Sequence, residues 1–207
     1  MKKSLTKMLE GYQSFRERYA LGDRSVMHYL SRYGQRPEIM VVACCDSRVD
    51  PALILQCDPG DLFVVRNVAN IVPTYATDVR FQGTSAALEF GVRLLKVKHL
   101  ILLGHTQCGG LEAALNQEEV AHTDFIKTWV SLVRTEYSAE YSPQEFAKIA
   151  LKQSYRNCFT FPWIAEAVAA EELFIHLWLF DIEKGEIFTF SKETKEYAAL
   201  DASYLEK

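Results

Sequence analysis

The chain has no run of apolar residues long enough to cross a bilayer, so nothing in its 207 residues reads as a membrane span. Basic charge is also short. Against 27 Asp and Glu stand 23 Lys and Arg, a net charge of −4 that leaves no basic footprint for nucleic acid. The start, Met1-Lys-Lys-Ser-Leu-Thr-Lys, is basic, but charged and polar residues follow where a signal peptide needs an apolar stretch. Internal repeats, low-complexity tracts and flexible linkers are missing. So is any Cys-x-x-Cys knuckle. The five cysteines (Cys44, Cys45, Cys57, Cys108, Cys158) are odd in number, which argues against a secreted disulfide framework. They suit metal-binding, catalytic or buried thiols in a reducing compartment, so a cytoplasmic protein is expected.

What is present is concentrated in two places. Met40-Val-Val-Ala-Cys-Cys-Asp-Ser-Arg-Val-Asp-Pro51 is an apolar run that ends in two thiols, a carboxylate, a hydroxyl and a guanidinium. Leu100-Ile-Leu-Leu-Gly104 breaks the same way into His105-Thr-Gln-Cys108-Gly-Gly110. Both apolar runs read as buried strands, and ligands of open α/β sheets bind at the carboxyl ends of strands. The pattern therefore delivers Cys, His and Asp to one sheet edge, as a metal site would require.

Around these strands the chain alternates strand and helix, which predicts an α/β fold with a mostly parallel central sheet and flanking helices. Residues 3–33 carry Leu5, Met8, Leu9, Tyr12, Phe15 and Tyr19 at helical spacing, with a break at Gly22-Asp23 and a cap at Ser25. Strands are predicted at 38–44, 62–66, 98–104 and 173–182. Helices follow at 49–57, from Gly83, at 109–115 and, with breaks near Ser142-Pro143 and Phe161-Pro162, over 118–170. A hairpin turn at Lys184-Gly185 returns 186–190 as an antiparallel edge strand. One domain is expected over 1–207: a helical arm to residue 33, an α/β core over 34–192 and a loosely attached polar tail over 193–207. The apolar stripe of the arm packs either on its own domain or on a partner subunit.

Zinc takes thiolate and imidazole ligands tetrahedrally, and catalytic zinc keeps one position open. Cys44, His105 and Cys108 supply three such ligands, too soft a set for magnesium or calcium. A closed structural site would need Cys45 as fourth ligand, but adjacent residues on an extended strand point to opposite faces. Beside an open metal, Asp46 can accept the hydrogen of a metal-bound hydroxide or bind the metal itself. Arg48 can hold that carboxylate bidentately and keep it off the metal.

These residues resemble the β-class carbonic anhydrases. Cys44-Cys-Asp-Ser-Arg48 matches the family's Cys-x-Asp-Ser-Arg signature. The likeness continues through Gly60-Asp-Leu-Phe-Val-Val-Arg-Asn-Val-Ala-Asn70, Gly83-Thr-Ser-Ala-Ala-Leu-Glu89 and Gly104-His-Thr-Gln-Cys-Gly-Gly110. It implies one Zn2+ per subunit on Cys44, His105 and Cys108, with Asp46 and Arg48 as catalytic dyad. It also implies a homodimer, or a dimer-based higher oligomer, whose N-terminal helices reach over the partner. Gln35 matches the plant-like, open-site branch, as do Phe63, Val68 and Phe90 as an apolar wall for CO2, although plant members often carry Tyr where Phe90 stands. The other branch regulates itself through a bicarbonate site of Trp, Arg and Tyr. Here only Arg66 of that triad is present, with Val41 and Phe180 at the other two positions. The reaction expected is reversible hydration of CO2 to bicarbonate by zinc-bound hydroxide, with Gln35 and the Gly109 N–H stabilising charge on the CO2 oxygens. Hydrolysis of CS2 or COS on the same fold and a non-catalytic structural-zinc module are the competing readings; a redox role for Cys44-Cys45 ranks last, because vicinal disulfides are strained.

Overall fold

A computed structural model describes residues 2–78, 82–136, 141–201 and 204. Its centre is a six-stranded sheet in the order β2-β1-β3-β4-β5-β6. The strands are β1 (Ile39–Cys44), β2 (Leu62–Asn67), β3 (His99–His105), β4 (Phe174–Asp181), β5 (Glu186–Phe190) and β6 (Tyr197–Ala199). Strands β2, β1, β3 and β4 run parallel, while β5 and β6 return antiparallel. β1 is apolar at almost every position because it lies inside the sheet with both faces covered: Met40, Val41, Val42 and Ala43 have no exposed surface.

The helices are α1 (Lys2–Phe15, continued by a π turn over Arg16–Ala20), α2 (Val26–Tyr33), α3 (Pro51–Ile54), α4 (Gly83–Glu89, continued by a π segment over Phe90–Leu95), α5 (Gly109–Leu115), α6 (Gln117–Val120), α7 (Ile126–Val130), α8 (Pro143–Cys158) and α9 (Pro162–Ala169). α8 begins in a capping box of Ser142 and Glu145 with Pro143 in its first turn. It buries Phe146, Ala147, Ala150, Leu151, Ser154 and Cys158, a helical stripe laid on β3 and β4. Gly104 accepts that packing, because a Cβ there would already touch Leu151 and Leu179 at 3.5–3.7 Å. On the same sheet face Gly91 lets the π segment close onto Met40 and Phe63.

Three expectations need adjusting. The helix expected over 49–57 is the single turn Pro51–Ile54, and the helical stretch 118–170 is divided into α6 to α9. β5 is not outermost: the tail contributes β6, with Phe188, Thr189 and Phe190 opposite Ala199, Ala198 and Tyr197. Beyond β6 the tail is attached through Tyr204, whose hydroxyl bonds His176 Nδ1 at 2.5 Å while His176 Nε2 meets His99 Nδ1 at 3.1 Å.

Burial, with the nearby His99 and Lys192 charges, holds His176 down at about 4. An unfolded chain would protonate this ring near 6.5. Between these values the unfolded state binds more protons, so stability falls as pH drops from about 6.5 to about 4. Chemical denaturation across that range should show the loss, and His176→Phe should flatten this part of the slope. An unchanged slope in the variant would assign it to other groups.

Candidate metal centre and active site

The chain leaves β1 for β2 on one side and returns to β3 on the other, so β1 and β3 flank the point where strand order reverses. Crevices in open α/β sheets form at such points, outside the carboxyl ends of the strands. Cys44 ends β1 and His105 ends β3 at this crevice, and Cys108 follows one turn later as the N-cap of α5. Their ligand atoms lie within 4.8 Å of one another and all three residues are buried. The two sulfurs are 3.9 Å apart. Two Zn–S bonds of about 2.3 Å at a tetrahedral angle span about 3.8 Å, so the pair has the bite of a zinc ion.

His105 supplies the sharper sign. Its Nδ1 is 2.8 Å from the Thr106 carbonyl, which sets Nδ1 as the protonated nitrogen and Nε2 as the one with a free lone pair. That Nε2 is buried and has no hydrogen-bond partner. A buried polar atom left unpaired is costly, and a metal would satisfy it. Between the sulfurs, the hydrogen bond from Cys108 lowers the Cys44 thiol against the opposing effect of burial, helped by the neighbouring His105 side chain and by backbone N–H groups of Asp46 and Ala69. The same contact raises Cys108, since a second thiolate would face the first without a cation between them. A dication resolves that conflict. Cys45 is exposed and stands outside the cluster, so among the described residues no fourth thiol or imidazole closes the site.

Asp46 and Arg48 form a fork: Arg48 Nε donates to Asp46 Oδ1 at 2.9 Å and Nη2 to Oδ2 at 2.7 Å. The Arg48 backbone N–H adds a third bond to Oδ1 at 2.9 Å. These bonds hold the Asp46 carboxyl far below the usual carboxylate range. Arg48 Nη2 also reaches the Gln107 carbonyl at 3.1 Å, linking the loop after β1 to the loop after β3.

The expected substrate residues divide into two groups. Val68 and Gly109 are near the cluster, with Val68 Cγ1 so close to Gly110 that a Cβ on that glycine would come within 2.6 Å. Gln35, Phe63 and Phe90 are elsewhere. Gln35 is exposed ahead of β1, and Phe63 is level with Met40, four residues before Cys44. At about 3.3 Å per residue that is about 13 Å of strand. Phe63 stacks on Phe90 with ring centroids 5.6 Å apart, and Phe90 is 41% exposed. The structure does not bring these three to the metal cluster of their own chain.

Two residues are more engaged than the sequence suggests. Arg66 Nε donates to the Cys44 carbonyl at 2.8 Å, Nη2 to the Asp46 carbonyl at 2.7 Å and Nη1 to Asp50 Oδ2 at 2.7 Å. Asp50 in turn caps α3 through the N–H groups of Ala52 and Leu53. An arginine closing the apolar run Leu62-Phe-Val-Val was the available signal. Trp129, for which the sequence offered none, donates from Nε1 to the Val68 carbonyl at 2.8 Å.

Fold and site together define a metal-dependent α/β enzyme whose candidate centre has two cysteine sulfurs and one imidazole at the switch point of a parallel sheet. A family model described as carbonic anhydrase matches residues 39–187. A carbonic anhydrase of Synechocystis sp. is 31% identical, over 94% of this chain and 74% of its own. Beta carbonic anhydrase 5 of Arabidopsis thaliana is 35% identical, over 80% of this chain and 57% of its own. The solved structure of the beta-carbonic anhydrase CcaA superposes with a TM-score of 0.83 at 30% identity, covering 97% of this chain and 93% of that one. The chain belongs to the β-class carbonic anhydrases. It is a zinc-dependent enzyme of reversible CO2 hydration.

Gly110 ties the cluster to the neighbouring segment. A methyl group there meets Val68 Cγ1 at 2.6 Å and the Ala69 backbone nitrogen at 3.2 Å. Gly110→Ala should therefore displace this segment and cost about 1–3 kcal/mol by the usual penalty of overpacking. Thermal unfolding of the zinc-loaded protein measures it, and a wild-type midpoint would show that Val68 gives way freely.

Proposed function

We propose that Cys44, His105 and Cys108 hold the zinc ion, one per subunit, and that Asp46 and Arg48 are the catalytic dyad for CO2 hydration. The observation that carries this reading is the buried, unpartnered His105 Nε2 beside two sulfurs at zinc-like separation. Bound there, zinc supplies the Lewis acidity that makes water a nucleophile near neutral pH. The chain's residues do the rest. Asp46, kept ionised by Arg48, accepts a hydrogen bond from the attacking oxygen and turns its lone pair towards carbon. Because Arg48 occupies both carboxylate oxygens, Asp46 stays out of the ligand set, which supports the plant-like, open-site reading. Arg66 is committed to two backbone carbonyls and Asp50, which is not the posture of an anion receptor.

CO2 is small and uncharged, so its site must be mainly apolar with a few aimed donors. Val68 forms one wall, and the Gly109 N–H, in the first turn of α5, is one donor. The remaining residues, Gln35, Phe63 and Phe90, complete the site of a second copy in a homodimer. Their exposure and their distance from their own cluster support this. So does the arm: Leu5, Met8, Leu9 and Tyr12 of α1 are each about 60% exposed in one stripe. Such a stripe calls for a partner surface. A tetrameric β-carbonic anhydrase of Sordaria macrospora, 29% identical with a TM-score of 0.71, covering 97% of both chains, makes dimer-based higher assembly a reasonable extension. Among the described residues no helix is long and apolar enough to cross a membrane. With the unpaired cysteines, this supports a cytoplasmic site of action.

Asp46→Asn should keep zinc but lower CO2 hydration by about 10²-fold or more, the scale of a lost acid–base group. Stopped-flow hydration with metal quantification tests it, and near wild-type turnover in the zinc-loaded variant would refute the dyad. The shared site has its own test. Cys44→Ser and Gln35→Ala chains, each weak alone, should regain activity when co-assembled, because one of the two sites in each mixed dimer is intact. No recovery in confirmed mixed dimers would show that each chain completes its own site.

A further inference from the structure

The segment after β2 is held in a costly shape. Ala69 and Asn70 are both left-handed, at φ 64° and 44°, a region that asparagine tolerates but that alanine enters only when its surroundings compel it. Several side chains do so. Asn67 closes the turn, its Nδ2 donating to the Ile71 carbonyl at 2.9 Å and its Oδ1 accepting from the Ile71 N–H at 2.8 Å. Ser154 Oγ donates to the Asn70 carbonyl at 3.3 Å. A further bond comes from Trp129 of α7, 61 residues along the chain, to the Val68 carbonyl. It acts on the residue whose side chain is pressed against Gly110, two positions after Cys108.

We propose that Trp129 is a positioning residue for CO2 hydration: its indole N–H fixes the Val68 carbonyl, and through it the place of the Val68 side chain on the substrate wall. The proposal rests on the reading of Val68 as part of that wall. Trp129 itself touches neither substrate nor metal. Its hydrogen bond sets the peptide that enters the left-handed turn, so the direction of the Val68 side chain depends on it. α7 thereby gains a role in the active site although it contributes no reacting group.

The test is a double-mutant cycle on the zinc-loaded enzyme. Trp129→Phe keeps an aromatic ring and deletes the N–H. It should lower kcat/KM for CO2 about fivefold, the size of one lost hydrogen bond, with zinc content unchanged. In a Val68→Ala background the same change should cost less than about twofold, because the side chain it positions is gone. The pH midpoint of kcat/KM should stay at its wild-type value in Trp129→Phe, because neither the metal-binding cluster nor Asp46 is touched, whereas a general disturbance of the site would move it. Wild-type kinetics in Trp129→Phe, an undiminished effect in the Val68→Ala background, or a displaced pH midpoint would overturn the proposal. Wild-type kinetics in Val68→Ala alone would instead remove the reading of the wall on which it rests, and the proposal with it.

Discussion

Everything in this molecule depends on β1 and β3 lying side by side and parallel. That adjacency is what brings a cysteine near residue 44 and a histidine near residue 105 to one crevice, although 61 residues separate them. It also sets the electrostatic problem of the site: two sulfurs at 3.9 Å cannot both be thiolates without a cation between them. The sheet supplies the rigidity that this crowding needs. Met40 to Ala43 and Leu100 to Leu103 are buried on both faces, so neither ligand can retreat without disturbing the core.

Around this fixed cluster the chain places its charges in a nested order. Arg48 holds Asp46 and the Gln107 carbonyl, so the loops after β1 and β3 are tied across the crevice. Arg66 holds the same β1 loop from below, by the carbonyls of Cys44 and Asp46, and by Asp50, which caps α3. Neither arginine is deeply buried, and an exposed ion pair contributes little to stability. Their value is geometric. A planar guanidinium with several donors fixes the orientation of what it holds, and orientation is what a hydrogen-bond acceptor beside a nucleophile requires.

How much of this could be read from the sequence follows from how local each signal is. The parallel strands were legible because their burial on both faces makes continuous apolar runs, and the Cys–His–Cys cluster able to hold a metal because those runs end in Cys and His. The Asp50-Pro51 helix start was legible from local chemistry alone, and the structure shows that cap. β6 was hidden, since Tyr197-Ala-Ala has no periodicity of its own and becomes a strand only by pairing with β5. The separation of Phe63 and Phe90 from Cys44 was hidden too. It is a property of strand register, which a motif quoted as a string of letters does not display. Trp129 lay beyond reach too, its indole bond spanning 61 residues to a backbone atom.

The division of the proposed substrate residues bears on what kind of object the site is. Gln35, Phe63 and Phe90 stand towards the amino ends of the strands, with the metal cluster at the carboxyl ends. No hinge within one rigid sheet could bring the two ends together, because β1 is paired with β2 from Ile39 to Cys44 and with β3 from Ile39 to Ala43. If these residues line the pocket, as proposed above, its completion calls for a second sheet, laid so that the amino end of one meets the carboxyl end of the other. A two-fold axis satisfies this twice at once. The exposed stripe of α1 fits that arrangement, since an arm extending from the amino edge would then lie against the other subunit. On this view association is part of the chemistry and not an addition to it. On the proposed reading, the apolar surface left uncovered on one chain would supply the missing wall of another chain's active site.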